Sequence, residues 1–143
     1  MKIYKAKKGS LIRGIILLLV GLPFFVYLID SKTIETYPVI FIPLISPLFF
    51  ILWFYVGTSY RLEGDQLYYK SGFIKGIIPI FEIREIQNDT TLWAGIKPSL
   101  SNGGIIIKFG KFDEIYIAPE NNEELIKDLV NINPSIKILG KGN

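Results

Sequence analysis

Hydrophobic positions along this chain change texture three times. From Ser10 to Ile29 and from Tyr37 to Gly57 they run together, interrupted by charge only at Arg13. A helix rises about 1.5 Å per residue, and a hydrocarbon core about 30 Å thick takes roughly twenty apolar residues. Both runs are therefore expected to be membrane-spanning helices, over 10–29 and 37–57, joined as a hairpin by the loop from Asp30 to Glu35. Pro23 interrupts the first run, and Pro38, Pro43 and Pro47 crowd the start of the second, so kinks are expected.

From Thr58 the period shortens to two. Tyr60-Arg61-Leu62-Glu63, the turn Gly64-Asp65 and Leu67-Tyr68-Tyr69-Lys70 read as a hairpin. Gly76 to Ile83 reads as another strand, with Pro79 at an edge or bulge. Arg84 to Asp89 fits neither period, and Leu92 to Ile96 is a candidate strand. Lys97 to Gly104 is a loop by its Pro, Ser and Gly content. Ile105 to Phe109 and Glu114 to Ile117 are strands. The period then lengthens: Leu125, Ile126, Leu129 and Val130 share one helical face, and acids at Glu123 and Glu124 suit a first turn. Asn133-Pro134 ends that helix. The expected fold is a membrane-anchored α+β or mainly-β chain. A transmembrane hairpin precedes an antiparallel barrel of six or seven strands, over 58–143, capped by one C-terminal helix.

Charge adds direction to this plan. Lys2, Lys5, Lys7, Lys8 and Arg13 precede or open the first run with no acid among them, whereas residues 58–143 carry ten bases against eleven acids. Bases near span ends favour the cytoplasm, and the far loop has only Lys32. Residues 1–9 thus read as a basic cytoplasmic tail, both termini are expected at the inner face, and the location is a cell membrane crossed twice. No small-residue cleavage site follows the first run, so it is not expected to be a removed signal. The basic tail is also the candidate contact for lipid headgroups, through Lys2, Lys5, Lys7, Lys8 and Arg13. A basic stripe on the folded part is missing, which argues against nucleic acid. Lys70, Lys75 and Arg84 lie close to the membrane in sequence, but Glu82 and Glu85 stand beside them, and no concentrated basic cluster is expected.

The chain has no cysteine and no histidine. That removes thiolate chemistry, the usual zinc ligands and the usual neutral-pH base. No catalytic residue, metal or cofactor is expected, and the protein is expected not to be an enzyme.

Tyr60-Arg61-Leu62, Asp65-Gln66-Leu67, Ile83 to Ile86, Lys97-Pro98-Ser99-Leu100-Ser101, Ile115-Tyr116-Ile117-Ala118-Pro119, Leu125-Ile126 and Asn133-Pro134-Ser135-Ile136 together resemble the bacterial PH-like membrane proteins, the type that includes the sublancin immunity protein. The resemblance covers roughly 58–138. It departs at Asn102-Gly103-Gly104, where similar proteins tend to carry a base. It implies a binding or scaffolding module, with immunity to a bacteriocin as one role. The candidate partner-binding residues are Lys97, Pro98, Ser99, Leu100 and Ser101 of the loop and Trp93, the tryptophan outside the two runs. The expected partners are the bilayer and a protein or peptide. The alternative is a small oligomeric transport or channel subunit in which the prolines of the second run line a path.

Overall fold

The computed structural model describes residues 1–90, 99 and 101–140, without the side chains of Thr33, Asp89 and Thr90. The elements follow as β1 (Lys2–Lys5), α1 (Ser10–Ile29), α2 (Ser31–Thr36), α3 (Phe41–Gly57), β2 (Ser59–Glu63), β3 (Gln66–Ser71), β4 (Ile74–Pro79), β5 (Ile83–Thr90), β6 (Gly104–Phe109), β7 (Asp113–Ile117), α4 (Asn122–Ile132) and β8 (Lys137–Leu139). Short 3-10 turns at Pro38–Ile40 and Ile80–Glu82 lead into α3 and β5. The candidate strand from Leu92 to Ile96 lies outside the described residues.

The first apolar run is helical over its whole expected length, and the second over Pro38–Gly57. Both helices are long and apolar enough to cross a membrane, and neither buries a residue. The expected crowd of kinks shrinks. Pro38 opens the 3-10 turn and Pro43 lies in the first turn of α3, where a missing N–H leaves no helical bond unmade. Only Pro23 and Pro47 are interior. The expected loop between the runs contains the short helix α2, whose Ile34 is buried and whose Glu35 accepts a hydrogen bond from the Tyr27 hydroxyl at 3.3 Å.

The strands form two four-stranded sheets, ordered β1-β2-β3-β4 and β7-β6-β5-β8. All neighbours are antiparallel except β5 and β8. Among the described residues the ladders do not run into one closed ring. The sheets meet at the bridge between Ala6 and Pro119, where Lys7 N donates to Ala118 O (2.8 Å) and Glu120 N to Lys5 O (2.9 Å). Alternation puts Tyr60, Leu67 and Ile78 of the first sheet and Ile86, Ile105, Ile107, Ile115 and Ile117 of the second on the inner faces, where all are buried. Leu125 and Leu129 of α4 close this core, Ile126 is nearly as buried, and Val130 packs at its margin.

Residues 1–9 are therefore not simply a tail. Tyr4 pairs with Tyr60 and is 5% exposed, and Ala6 is 2% exposed. The strand is only four residues long and its partner lies beyond both apolar helices. Local pattern carries too little signal for such a pairing. The folded domain is thus discontinuous, with the helical hairpin inserted between its first two strands. Arg84 to Asp89 is settled as part of β5, and β8 adds a strand that short-range alternation did not suggest.

Helix α4 starts at Asn122, with Glu123 and Glu124 in its first turn. Asn121 is the N-cap, its side-chain oxygen accepting from Glu124 N at 3.1 Å. Asn133 ends the helix and also fastens it: its buried Nδ2 donates to Ile80 O at 2.9 Å. The junction between α3 and β2 is fixed as well. The Thr58 hydroxyl donates to Phe54 O (2.7 Å) and lies 2.8 Å from the Ser71 hydroxyl, and the Phe54 and Phe73 rings meet edge to face at 5.2 Å.

Candidate functional site

Two groups of residues that the sequence singled out separately line one cavity. It is about 570 Å³ in volume and sits where the chain passes from β1 to α1. Lys7 and Lys8 form one wall, and Ser99, Ser101 and Asn102 the other. The bond from Lys7 N to Ala118 O holds the first wall against the end of β7.

The loop wall is braced from below. The Tyr116 hydroxyl donates to Ser101 O and accepts from Gly104 N, both at 2.9 Å. Tyr116 is completely buried although it sits on the outer face of β7, because the loop end covers it together with Ile106 and Ala118. Asn122, the first residue of α4, donates to Gly103 O at 2.9 Å. Ser99 closes a small turn of its own, donating to Ser101 O at 3.1 Å and accepting from Ser101 N at 3.3 Å. Tyr60 reaches the same region from β2: its hydroxyl accepts from Ala118 N at 3.1 Å and is hydrogen-bonded to the Ser99 side chain. Burial pushes the Tyr60 phenol well above its ordinary range, so it stays neutral and works as a hydrogen-bonding post. The cavity therefore has two lysines, small hydroxyls and a rigid floor. Such a set can hold a polar or anionic segment. Among the described residues no group of His, Cys, Asp or Glu could hold a metal.

The other predicted residues are dispersed. Lys2 does not face the cavity: its ammonium ion-pairs with Glu124 (2.8 Å) and Asp128 (2.5 Å) of α4. Those two hydrogen bonds hold its pKa far above the usual lysine value, so its charge is committed within the domain. Lys5 lies on the outer face of the first sheet, and Arg13 is in the first turns of α1. Trp93, Lys97, Pro98 and Leu100 lie outside the described residues.

These strands, followed by α4, coincide with a recognised domain: residues 58–133, more than half of the chain, match the bacterial PH domain. The chain belongs to the bacterial PH domain family. A similar protein is the uncharacterised YyaB of Bacillus subtilis (strain 168), 32% identical over 92 residues, which are 64% of this chain and 63% of YyaB. The chain thus spans less than two thirds of that relative. No solved structure matches the chain. PH domains are generally non-catalytic binding domains. The family match begins at residue 58, so strand β1 of this PH domain lies outside it.

One basic group was missed by sequence reasoning. Lys70 and Lys75 line a second groove, on the outer face of the first sheet, together with Arg61. The acids that seemed to neutralise them are elsewhere. The 3-10 turn at Ile80–Glu82 carries the chain from the first sheet to the second, where Glu85 pairs with Lys108 at 2.8 Å. Arg84 follows the acids to that sheet and donates to Lys111 O at 2.9 Å. Only strand register brings the remaining bases together.

Proposed function

We propose that this chain is a membrane-tethered bacterial PH domain that acts as a binding or scaffolding module at the inner face of the membrane. The observation that carries this reading is the β1–β2 ladder, in which Lys5 pairs with Ser59. The chain leaves one sheet for α1 shortly after Lys5 and returns from α3 just before Ser59. Out-and-back geometry of this kind supports a domain whose two entry points lie on one side of a bilayer. The helices pack on each other and leave large apolar side chains uncovered, with Leu17 73% and Val56 77% exposed. Water penalises such a surface and hydrocarbon does not.

The bases favour the cytoplasm for the domain side, since Lys5, Lys7, Lys8 and Arg13 gather there and Lys32 stands alone at the far turn. Lys8 Nζ, just ahead of α1, lies 4.3 Å from the centre of the Tyr55 ring of α3, which aligns a base and an aromatic at one level. The cavity between Lys7 and Ser101 is the proposed partner site, for a protein or peptide. Immunity to a secreted peptide is the finer role the family resemblance suggests. A transport path finds less support: Ser46 is the polar side chain in the shallow groove of α3, and its hydroxyl bonds back to Pro43 O at 3.4 Å.

The test is fractionation with protease protection. The full-length protein should leave membranes only with detergent, and a C-terminal tag should resist protease added to intact spheroplasts. Release by high salt or carbonate, or digestion of the tag from outside, would overturn tethering. A photocrosslinker at Ser101 should capture a partner that one at Glu114 does not. Equal labelling from both positions would remove the cavity from the proposal.

A further inference from the structure

The first sheet carries a row of bases at the end nearest the helices. Its register pairs Lys5 with Ser59, Ser59 with Lys70, and Lys70 with Lys75. Directly paired residues in an antiparallel sheet project to the same face. The neighbouring row, Tyr4, Tyr60, Tyr69 and Gly76, faces the core, so the lysine row faces outward. All three lysines are exposed, and among the described residues none makes an ion pair. Like charges directly opposite each other are destabilising. Lys70 and Lys75 are opposite each other with no acid between them, an arrangement that an anion would relieve.

Two residues further along the strands, about 7 Å away, Arg61 continues the face. Its guanidinium carbon lies 4.6 Å from the centre of the Tyr68 ring. Its Nε is screened from solvent and makes no hydrogen bond, with Glu63 at 3.4 Å on the far side. Arg61, Tyr68, Lys70 and Lys75 line a groove of about 600 Å³ whose lining also includes the apolar Ile3 and Ile77, while Lys5 lies outside it. Charge therefore increases toward α3, and the one acid at hand stands at the opposite end.

A separate observation says what lies beyond that end. Phe73, in the turn between β3 and β4, is 73% exposed, and its ring packs on Phe54 within the last turn of α3. An exposed aromatic beside the end of an apolar helix, flanked by Lys70 and Lys75, is the composition of a bilayer interface. We propose that this groove holds the headgroup of an anionic phospholipid from the membrane that receives the helices, with its phosphate between Lys70, Lys75 and Arg61. The proposal rests on the tethering reading above. An acidic peptide offers the same charge but leaves Phe73 and its contact with α3 without a role.

The test is lipid retention by the detergent-purified full-length protein, read by native mass spectrometry with phosphatidylglycerol and phosphatidylcholine as probes. Phosphatidylglycerol should be retained at about tenfold lower concentration than phosphatidylcholine. Replacing both exposed lysines (Lys70→Gln with Lys75→Gln) should cost about fivefold per lysine and abolish that preference, while the melting temperature holds. The control pair Lys111→Gln, in the β6–β7 turn, and Lys137→Gln, on β8, should change nothing. Equal retention of the two lipids, or a preference that survives loss of both lysines, would overturn the site. So would displacement by excess free glycerol phosphate, which marks a soluble-anion site, or by an acidic peptide, which marks a protein site. A full-length protein that needs no detergent would overturn both readings. That result is seen before lipid is added, so failure of tethering is told apart from failure of the groove.

Discussion

The Tyr4 hydroxyl donates a hydrogen bond to the Asp128 carboxylate, joining the first strand of the PH domain to its closing helix. Lys2 reaches the same carboxylate from two residues away. Tyr4 also sits in the core beside Tyr60, so one side chain serves packing and polar attachment together.

Removing that side chain should therefore cost more than removing its hydroxyl. Tyr4→Ala takes away a buried ring and is expected to destabilise by about 3–5 kcal/mol. Tyr4→Phe keeps the ring and leaves Asp128 paired with Lys2, and is expected to cost about 0.5–1.5 kcal/mol. Denaturant titration of the full-length protein in detergent checks the order. Equal effects would mean that the ring contributes nothing as packing.

The same contact sets a pH window. Hydrogen bonds from Lys2 and then Tyr4 hold the Asp128 carboxyl below its ordinary value of 3.8. Descending in pH, the unfolded chain takes up that proton first. The contribution to stability is complete above about pH 5 and is lost as pH falls through the lowered value. Glu85, lowered first by Lys108 and then by Gln87, acts in the same direction. At the alkaline end, burial and then the bond to Asp128 raise the Tyr4 phenol from 10.0 to about 12. Its contribution is complete below pH 10 and is lost as pH climbs through about 12. Melting temperatures should form a plateau between these limits, and Asp128→Asn should flatten the acid side. An unchanged acid slope in that variant would show that other carboxylates control it.

Legibility in the sequence followed the range of the interaction. The two long apolar runs, the apolar face of α4 and the β2–β3 hairpin around Gly64-Asp65 are local patterns, and each was readable. Strand β1 was not, since Lys2 to Lys5 finds its partner only across the whole hairpin of helices. The basic row was hidden for the same reason, because Lys5, Lys70 and Lys75 belong to three strands and meet only through register. Glu82 and Glu85 misled because they are near Lys75 in sequence, while the 3-10 turn that ends at Glu82 carries the chain away to the other sheet, where Glu85 lies. Ser101 to Gly103, the described end of the expected loop, was readable from its Ser and Gly content. Its brace on Tyr116 was not, because alternation alone gives Tyr116 an outward position and no cover.

That brace supports a prediction about the candidate site. Tyr116→Phe leaves Ser101 O without its donor and Gly104 N without its acceptor, both beneath the loop. The expected cost is about 1–3 kcal/mol, with faster hydrogen exchange at the Gly104 amide. Exchange at β2 and β3 should be unaffected. Uniform acceleration across both sheets would mean that Tyr116 supports the whole fold and not this wall.

Docking of α3 on the sheet can be probed at two glycines. Gly64 and Gly72 both have positive φ, 59° and 58°. A Cβ at Gly64 would meet open space, whereas one at Gly72 would come within 2.6 Å of the Phe54 ring. Gly64→Ala should cost about 1 kcal/mol from backbone strain alone. Gly72→Ala should cost more, because it also separates Phe54 from the β3–β4 turn. Equal losses in melting temperature would show that the helix is not seated there.

The discontinuous domain makes the most demanding prediction. Residues 58–140 by themselves lack β1, so the ladder edge of β2 is left bare and Tyr4 and Ala6 vanish from the core. A core this small does not tolerate that loss, and the fragment should aggregate or unfold without cooperativity. Lys5 and Ser59 are direct partners, so residues 1–8 joined to residue 58 by a short Gly/Ser linker should restore the strand as one arm of a hairpin. The joined protein should be a soluble monomer with a single unfolding transition, since both apolar helices are gone. If the fragment without β1 proved as stable as the joined protein, the first strand would be dispensable. Both helices would then no longer be tied to adjacent, obligatory strands of one sheet.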